Sequence, residues 1–263
     1  MNIHPGMKLM VAVLFAVLWS PTCGQAEELK LTIDGTERTA LVFAPSGGGK
    51  APVIFAFHGH GGSAAKSAEG MAFQTAWPEA IVVYMQGLPG IASPADPKGE
   101  QPGWQRAAGE AGDRDLKFFD AVLAELHKKY AVDDGRIYAT GFSNGGFFNY
   151  LLWAERGKVF EAFAPCAAMI WPTIHIAGAH PVMVIAGKID DTVPFEKQQE
   201  AIAEVKRVNG CSEEGKTIGM GVTYYPSKNK TPVVTFIHPG AHVWPGSATK
   251  VVVKFFKNHP GSE

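Results

Sequence analysis

The pentapeptide Gly141-Phe142-Ser143-Asn144-Gly145 follows the β-rich run Arg136–Thr140 and precedes a helix-periodic stretch that extends to about Ala154. A strand that turns into a helix within five residues leaves no room for side chains beside the serine, which is why glycines flank it. Such a turn pushes the serine Oγ out of the sheet and sets it at a helix N-terminus, where backbone N–H groups favour negative charge. A strand of this kind needs neighbours, and the rest of the chain supplies them. Short apolar β-rich runs alternate with amphipathic stretches, the pattern of a mostly parallel sheet covered by helices on both faces.

Leu29–Ile33 and Thr39–Phe43 are separated by Asp34-Gly35 and form a candidate opening hairpin. Pro52–Phe57, Ala80–Met85, Phe160–Ala164, Pro181–Ala186 and Val233–Ile237 are further strand runs. Asp115–Tyr130 carries apolar residues at helical spacing, with Asp113 placed to cap its start and lysines in its last turn. Glu196–Val208 and Val251–Phe256 predict two later helices. Between Gly87 and Gly103 lies a Pro/Gly-rich loop without periodicity. No composition shift or internal repeat divides the chain, so residues 27–263 are expected to form a single domain.

Residues 1–26 are predicted to be a signal peptide. Lys8 is the only charged residue before Glu27, and it precedes the apolar run Leu9–Trp19, which is shorter than the ~20 residues a membrane span needs. Gly24 and Ala26 place small residues at the positions expected for cleavage after Ala26. The mature chain is then secreted or periplasmic, without stable membrane insertion. It would keep Cys166 and Cys211, which an oxidising compartment would permit to pair. The 24 basic residues are balanced by 25 acidic ones, for a net charge of −1, so nothing marks the chain for nucleic acid. His58 and His60 share a glycine-rich turn, but no Cys–His cluster has the spacing of a metal site, and no cofactor is implied.

A serine hydroxyl becomes a nucleophile only beside a base, and the base needs an orienting carboxylate. In an α/β-hydrolase these follow in the order Ser, Asp or Glu, His, each in a loop after a strand. Asp190 and Asp191 follow the Pro181–Ala186 run, and His242 follows Val233–Ile237. Ser143, one of the two aspartates and His242 are therefore the candidate catalytic set. The N–H of Asn144, next after the nucleophile, is a candidate oxyanion donor.

Four motifs occur in order: His58-Gly59-x-Gly61-Gly62, Gly141-x-Ser143-Asn144-Gly145-Gly146, Gly187-x-x-Asp190-x-x-Val193-Pro194 and Gly240-x-His242-x-Trp244-Pro245-Gly246. The set resembles the polyhydroxybutyrate depolymerase/feruloyl esterase group of secreted α/β-hydrolases, over nearly the whole mature chain. The resemblance implies a serine carboxylic-ester hydrolase of α/β-hydrolase fold, selects Asp190 over Asp191, and assigns the second oxyanion donor to the backbone N–H of His60. Many relatives have a glycine where Ala241 stands, and a cysteine near Tyr225 that this chain lacks, which leaves Cys166 as the one possible partner of Cys211.

Trp104, Phe142 and Trp244, with Trp171, are candidates to line an acyl or aromatic pocket. Polymer-degrading members of the group often carry a linker and a binding module. The chain's end at Glu263 without either favours a hydroxycinnamoyl or short acyl ester, small or linked to a polysaccharide, over a solid polyester. Other readings are a polyhydroxyalkanoate depolymerase, a serine peptidase of prolyl-oligopeptidase type, and a non-catalytic exported binding protein. The last would not require an ordered Ser, Asp and His.

Overall fold

The computed structural model describes residues 26–93 and 95–261, so the signal-peptide assignment lies outside the described residues apart from Ala26. The sheet is built on β3 (Ala51–Phe57), which is buried along its whole length. Its alternate side chains serve two cores: Val53, Phe55 and Phe57 point to one, Ile54 and Ala56 to the other. A strand buried on both faces has to be apolar throughout, and this one is.

Three strands precede the strand of the candidate nucleophile in addition to β3: β1 (Glu27–Ile33), β2 (Thr36–Phe43) and β4 (Ile81–Met85). The nucleophile strand is β5 (Val132–Phe142), followed by β6 (Ala162–Cys166) and β7 (Val182–Gly187). The last three are β8 (Lys216–Gly219), β9 (Val222–Tyr225) and β10 (Val233–His238). They form one sheet in the order β1-β2-β4-β3-β5-β6-β7-β10-β9-β8. The strands from β4 to β10 in that order run parallel, and antiparallel pairs extend both ends. The opening hairpin is present, and Asp34 and Gly35 both take positive φ (48° and 78°), as a type I′ turn demands.

Helices cover both faces. α3 (Arg114–Lys129), α4 (Asn144–Arg156) and α5 (Phe195–Asn209) pack on the face of Val53, Phe55 and Phe57. The other face holds α1 (Ala64–Met71), α2 (Phe73–Ala76) and α6 (Ala248–Lys257). This is the α/β-hydrolase architecture expected from the alternation. Among the described residues, no helix is long and apolar enough to cross a membrane.

Four of the helices and strands had no clear sequence signal, and the bounds or caps of several others differ. α1 buries only Ala64, Ala68 and Met71, too weak an apolar stripe to stand out. α2 is a single turn, β9 has four residues, and β8 is exposed at every position, so it shows no alternation. The sixth strand starts at Ala162, two residues later than expected. Asp113 does not cap α3: its backbone is left-handed, and its carboxylate accepts from the Gly109 N–H and the Gln105 amide instead. Gln105 Oε1 takes the capping role, accepting from the Asp115 and Leu116 N–H groups. A buried ion pair fastens the start of α3 to β2, with Arg38 Nη2 2.7 Å from Asp115 Oδ1.

Cys166 and Cys211 are both free thiols, not a disulfide. The Cys166 Sγ–H lies 3.7 Å from the Val243 carbonyl and Cys211 Sγ 3.9 Å from that of Thr231, so the two side chains serve different parts of the fold.

Candidate active site

Strand register brings the chemistry-bearing loops to one edge. Phe57 pairs with Gly141, Gly141 with Pro165, and Gly187 with His238, so β3, β5, β6, β7 and β10 end together. The chain passes from β3 to β4 on one side and on to β5 on the other, which makes the carboxyl ends of β3 and β5 a topological switch point, where sheets of this kind bind ligands. Ser143 stands there. Its backbone takes φ 54° and ψ −122°, a conformation that costs on the order of 1–3 kcal/mol for a residue with a side chain. The surroundings enforce it. The Ser143 N–H donates to the Cys166 carbonyl at 2.9 Å, and α4 begins at the next residue. A Cβ on Gly141 would lie 2.5 Å from the Gly145 carbonyl, and one on Gly145 would collide with the Phe57 carbonyl oxygen.

His242 Nδ1 is 2.9 Å from Asp190 Oδ2. Asp190 is buried, and its carboxylate is saturated. Oδ1 accepts from the Thr192 and Val193 N–H groups, and Oδ2 also accepts from Gln198 Nε2 at 3.0 Å. A carboxylate with those donors accepts from Nδ1–H, which fixes the tautomer and leaves His242 Nε2 with a free lone pair. Asp191 is exposed, and its carboxylate comes only within 3.5 Å of the Thr192 hydroxyl. Phe142 lies against the His242 ring at 4.8 Å between centroids, and its ring and Ser143 Cβ border the space that a side chain at Gly59 would need.

The two candidate oxyanion donors sit on neighbouring turns. The N–H of Asn144 opens α4 and so has no intrahelical acceptor. The Asn144 side chain clamps the loop opposite: Oδ1 accepts from Trp104 N–H at 2.7 Å and Nδ2 donates to the Trp104 carbonyl. His60 follows β3, and its Nε2 meets Asp96 Oδ2 at 3.0 Å. Asp96 also accepts from the Gln101 and Glu100 N–H groups, which hold its carboxyl below the usual range. The adjacent Gly61 N–H donates to Pro102. The Pro/Gly-rich loop is thus bolted to both turns. Gln198, Asp96 and the side-chain clamp of Asn144 had no sequence signal, because each is a polar residue that only the folding of a loop brings to its partner.

His58 joins the same junction from below. Its Nδ1 meets the Gly59 carbonyl at 2.7 Å and its Nε2 accepts from the Gly87 N–H at 2.9 Å, so the neutral Nδ1–H form fits both partners. Burial lowers the pKa of His58 and, at the edge of the α4 core, of His180. In the unfolded chain both take up a proton near pH ~6.5. Their folded values are depressed, so the stability they contribute is complete above that pH and is lost as the pH falls below it. Thermal melts from about pH 8 to about pH 5 should therefore show a midpoint that holds and then declines through the acid half of the range. A midpoint that rose on acidification would contradict this.

One of the expected pocket residues is not on a surface. Trp104 is fully buried, with Nε1 donating to the His58 carbonyl and its ring stacked on Phe148 at 5.4 Å. A ring enclosed in this way braces the β3 turn and cannot touch substrate. Trp104→Ala should cost about 3–5 kcal/mol of stability, as cavities of that size do, measured by chemical denaturation. Trp244 is half-buried and directed toward α2 and α6, with its ring edge-on to Phe73 and Nε1 donating to Thr249 Oγ1. Trp171 packs on Phe147 with the Arg106 guanidinium over its ring. Of the three named candidates, Phe142 alone lies against His242.

No protein-family model matches the chain. It is 27% identical over 163 residues to a probable feruloyl esterase C of Aspergillus clavatus, covering 61% of this chain and 56% of that one. It is 26% identical over 235 residues to the putative esterase NocK of Nocardia uniformis, covering 74% of this chain and 66% of that one. A bifunctional acetylxylan esterase/xylanase of Neocallimastix patriciarum is 25% identical over 121 residues, 44% of this chain and 17% of that one. The chain thus spans less than two thirds of the length of the first curated relatives it matches. Among solved structures, an acetyl xylan esterase from Aspergillus awamori superposes with a TM-score of 0.68 at 13% identity, over 89% of this chain and 99% of that one. A ferulic acid esterase gives 0.64 at 16% identity, over 89% and 98%. At these identities the structural likeness establishes the fold.

Proposed function

Because the chain belongs with the feruloyl esterase-like α/β-hydrolases, we propose that it is a serine carboxylic-ester hydrolase acting through Ser143, His242 and Asp190. The observation that carries the reading is the His242–Asp190 hydrogen bond at the same sheet edge as a strained serine. His242 Nε2 takes the Ser143 proton while Oγ attacks the ester carbonyl carbon. The carbonyl oxygen becomes an oxyanion that accepts from the N–H groups of His60 and Asn144. The intermediate collapses as the C–O bond to the alcohol breaks, and His242 returns its proton to the departing alkoxide. Water then repeats the sequence on the acyl-enzyme and frees the acid and Ser143. Asp190 keeps Nδ1–H in place and stabilises the imidazolium in both halves.

The names of the relatives favour hydroxycinnamoyl or short acyl esters, free or linked to polysaccharide. Phe142 offers an aromatic face beside His242 for such an acyl group. Export by cleavage after Ala26 completes the proposal, and the mass of the protein recovered outside the cytoplasm tests it. The activity is tested with purified protein on p-nitrophenyl acetate, methyl ferulate, aminoacyl anilides and polyhydroxybutyrate film. Turnover of the soluble esters is expected. Cleavage of anilides alone would indicate a peptidase, film clearing without soluble-ester turnover a depolymerase, and inertness toward all four would overturn the enzymatic reading.

A further inference from the structure

A groove of about 970 Å³ lies between α6 and the β8–β9 hairpin, and none of Ser143, Asp190 or His242 lines it. Its size falls within the range of ligand sites, roughly 300–1,000 Å³. Val222, Val234 and Phe236 of the sheet line it on one side, Val251 and Phe255 of α6 on another. Ile218 and Met220 line it from the hairpin while standing 57% and 96% exposed, a large apolar surface left in water. The charged side chains in its lining have one sign. Lys250 and Lys254, one helical turn apart, are exposed, and among the described residues they make no ion pair and no Asp or Glu lines the groove. His238, also in the lining, keeps its Nε2 buried without a hydrogen-bond partner.

The geometry points to a second binding site here, for an amphiphilic carboxylic acid: an apolar body lies in the groove and its carboxylate meets Lys250 and Lys254. A second copy of the chain fits less well. A two-fold interface sets the same patch against itself, so it would bring four lysines together with no carboxylate in the lining to offset them. An anion with an apolar tail satisfies both the surface and its charge. The reaction proposed above releases acids of this class, but the site is defined by its own residues and its test does not depend on that reaction.

Dodecanoate is titrated calorimetrically into the full-length protein. One equivalent is expected to bind, with dodecan-1-ol and dodecylammonium binding at least about tenfold more weakly because the lysines read the charge. The double variant Lys250→Glu/Lys254→Glu and the single variant Ile218→Glu should each weaken dodecanoate by about tenfold or more, with unchanged melting temperatures because all three residues are exposed. Lys228→Glu, a surface lysine outside the groove, should leave it unchanged. The proposal is overturned by no binding up to the solubility limit, by affinity indifferent to the groove variants, or by dodecan-1-ol binding as tightly. Sedimentation as a dimer that Ile218→Glu dissociates would assign the groove to self-association instead.

Discussion

Ser143→Ala is expected to lower kcat for p-nitrophenyl acetate by about 10⁴-fold or more, because an acyl-enzyme cannot form without its oxygen. The fold should not register the change. Ser143 Oγ makes no hydrogen bond among the described residues, and the strained backbone is held by the Cys166 carbonyl and the packed glycines, none of which the substitution touches. The thermal midpoint should therefore match that of the unaltered protein, which separates loss of chemistry from loss of structure. The residual rate, from the oxyanion donors and binding alone, should still exceed hydrolysis in water. Undiminished turnover by the pure variant would sink the triad reading and move the search to another nucleophile.

The parts of the candidate site that were legible in the sequence share one property: each sits where a continuous apolar strand stops. Ser143, Asp190 and His242 all follow such runs, and parallel register carries the ends of those strands to one edge. Chain order and sheet topology then did the rest. What was illegible depends on pairs distant in sequence. Gln105 and not Asp113 caps α3, because the loop folds back to present an amide where the local aspartate has turned away. Trp104 was a candidate for the pocket as an aromatic residue, yet the Asn144 clamp holds its backbone against α4 and the ring is buried. The β8–β9 hairpin escaped because an edge strand exposed on both faces has no reason to alternate. It borders the groove proposed to hold an acid, so the least legible elements border the site that the motifs did not foretell.

Asp190→Asn should reduce kcat by about 10³–10⁴-fold, whereas Asp191→Asn should change it by less than about threefold. The two residues are adjacent and chemically identical, so the contrast isolates position. The carboxylate of Asp190 accepts four hydrogen bonds, from the Thr192 and Val193 N–H groups, Gln198 and His242. An amide in its place can keep an oxygen toward the two backbone donors. Its NH₂ then faces Gln198 and His242 Nδ1, where a donor meets donors. His242 answers by moving its proton to Nε2, the nitrogen that must accept from Ser143, and the base is lost while the ring stays where it was. The imidazolium formed in the transition state also loses its countercharge. KM should move far less than kcat, since nothing that binds the ester has changed. Asp191 points into solvent beside Thr192, and its charge is screened there. A larger loss in Asp191→Asn than in Asp190→Asn would reverse the assignment of the two acids and with it the reading of the buried hydrogen-bond set as the orienting member.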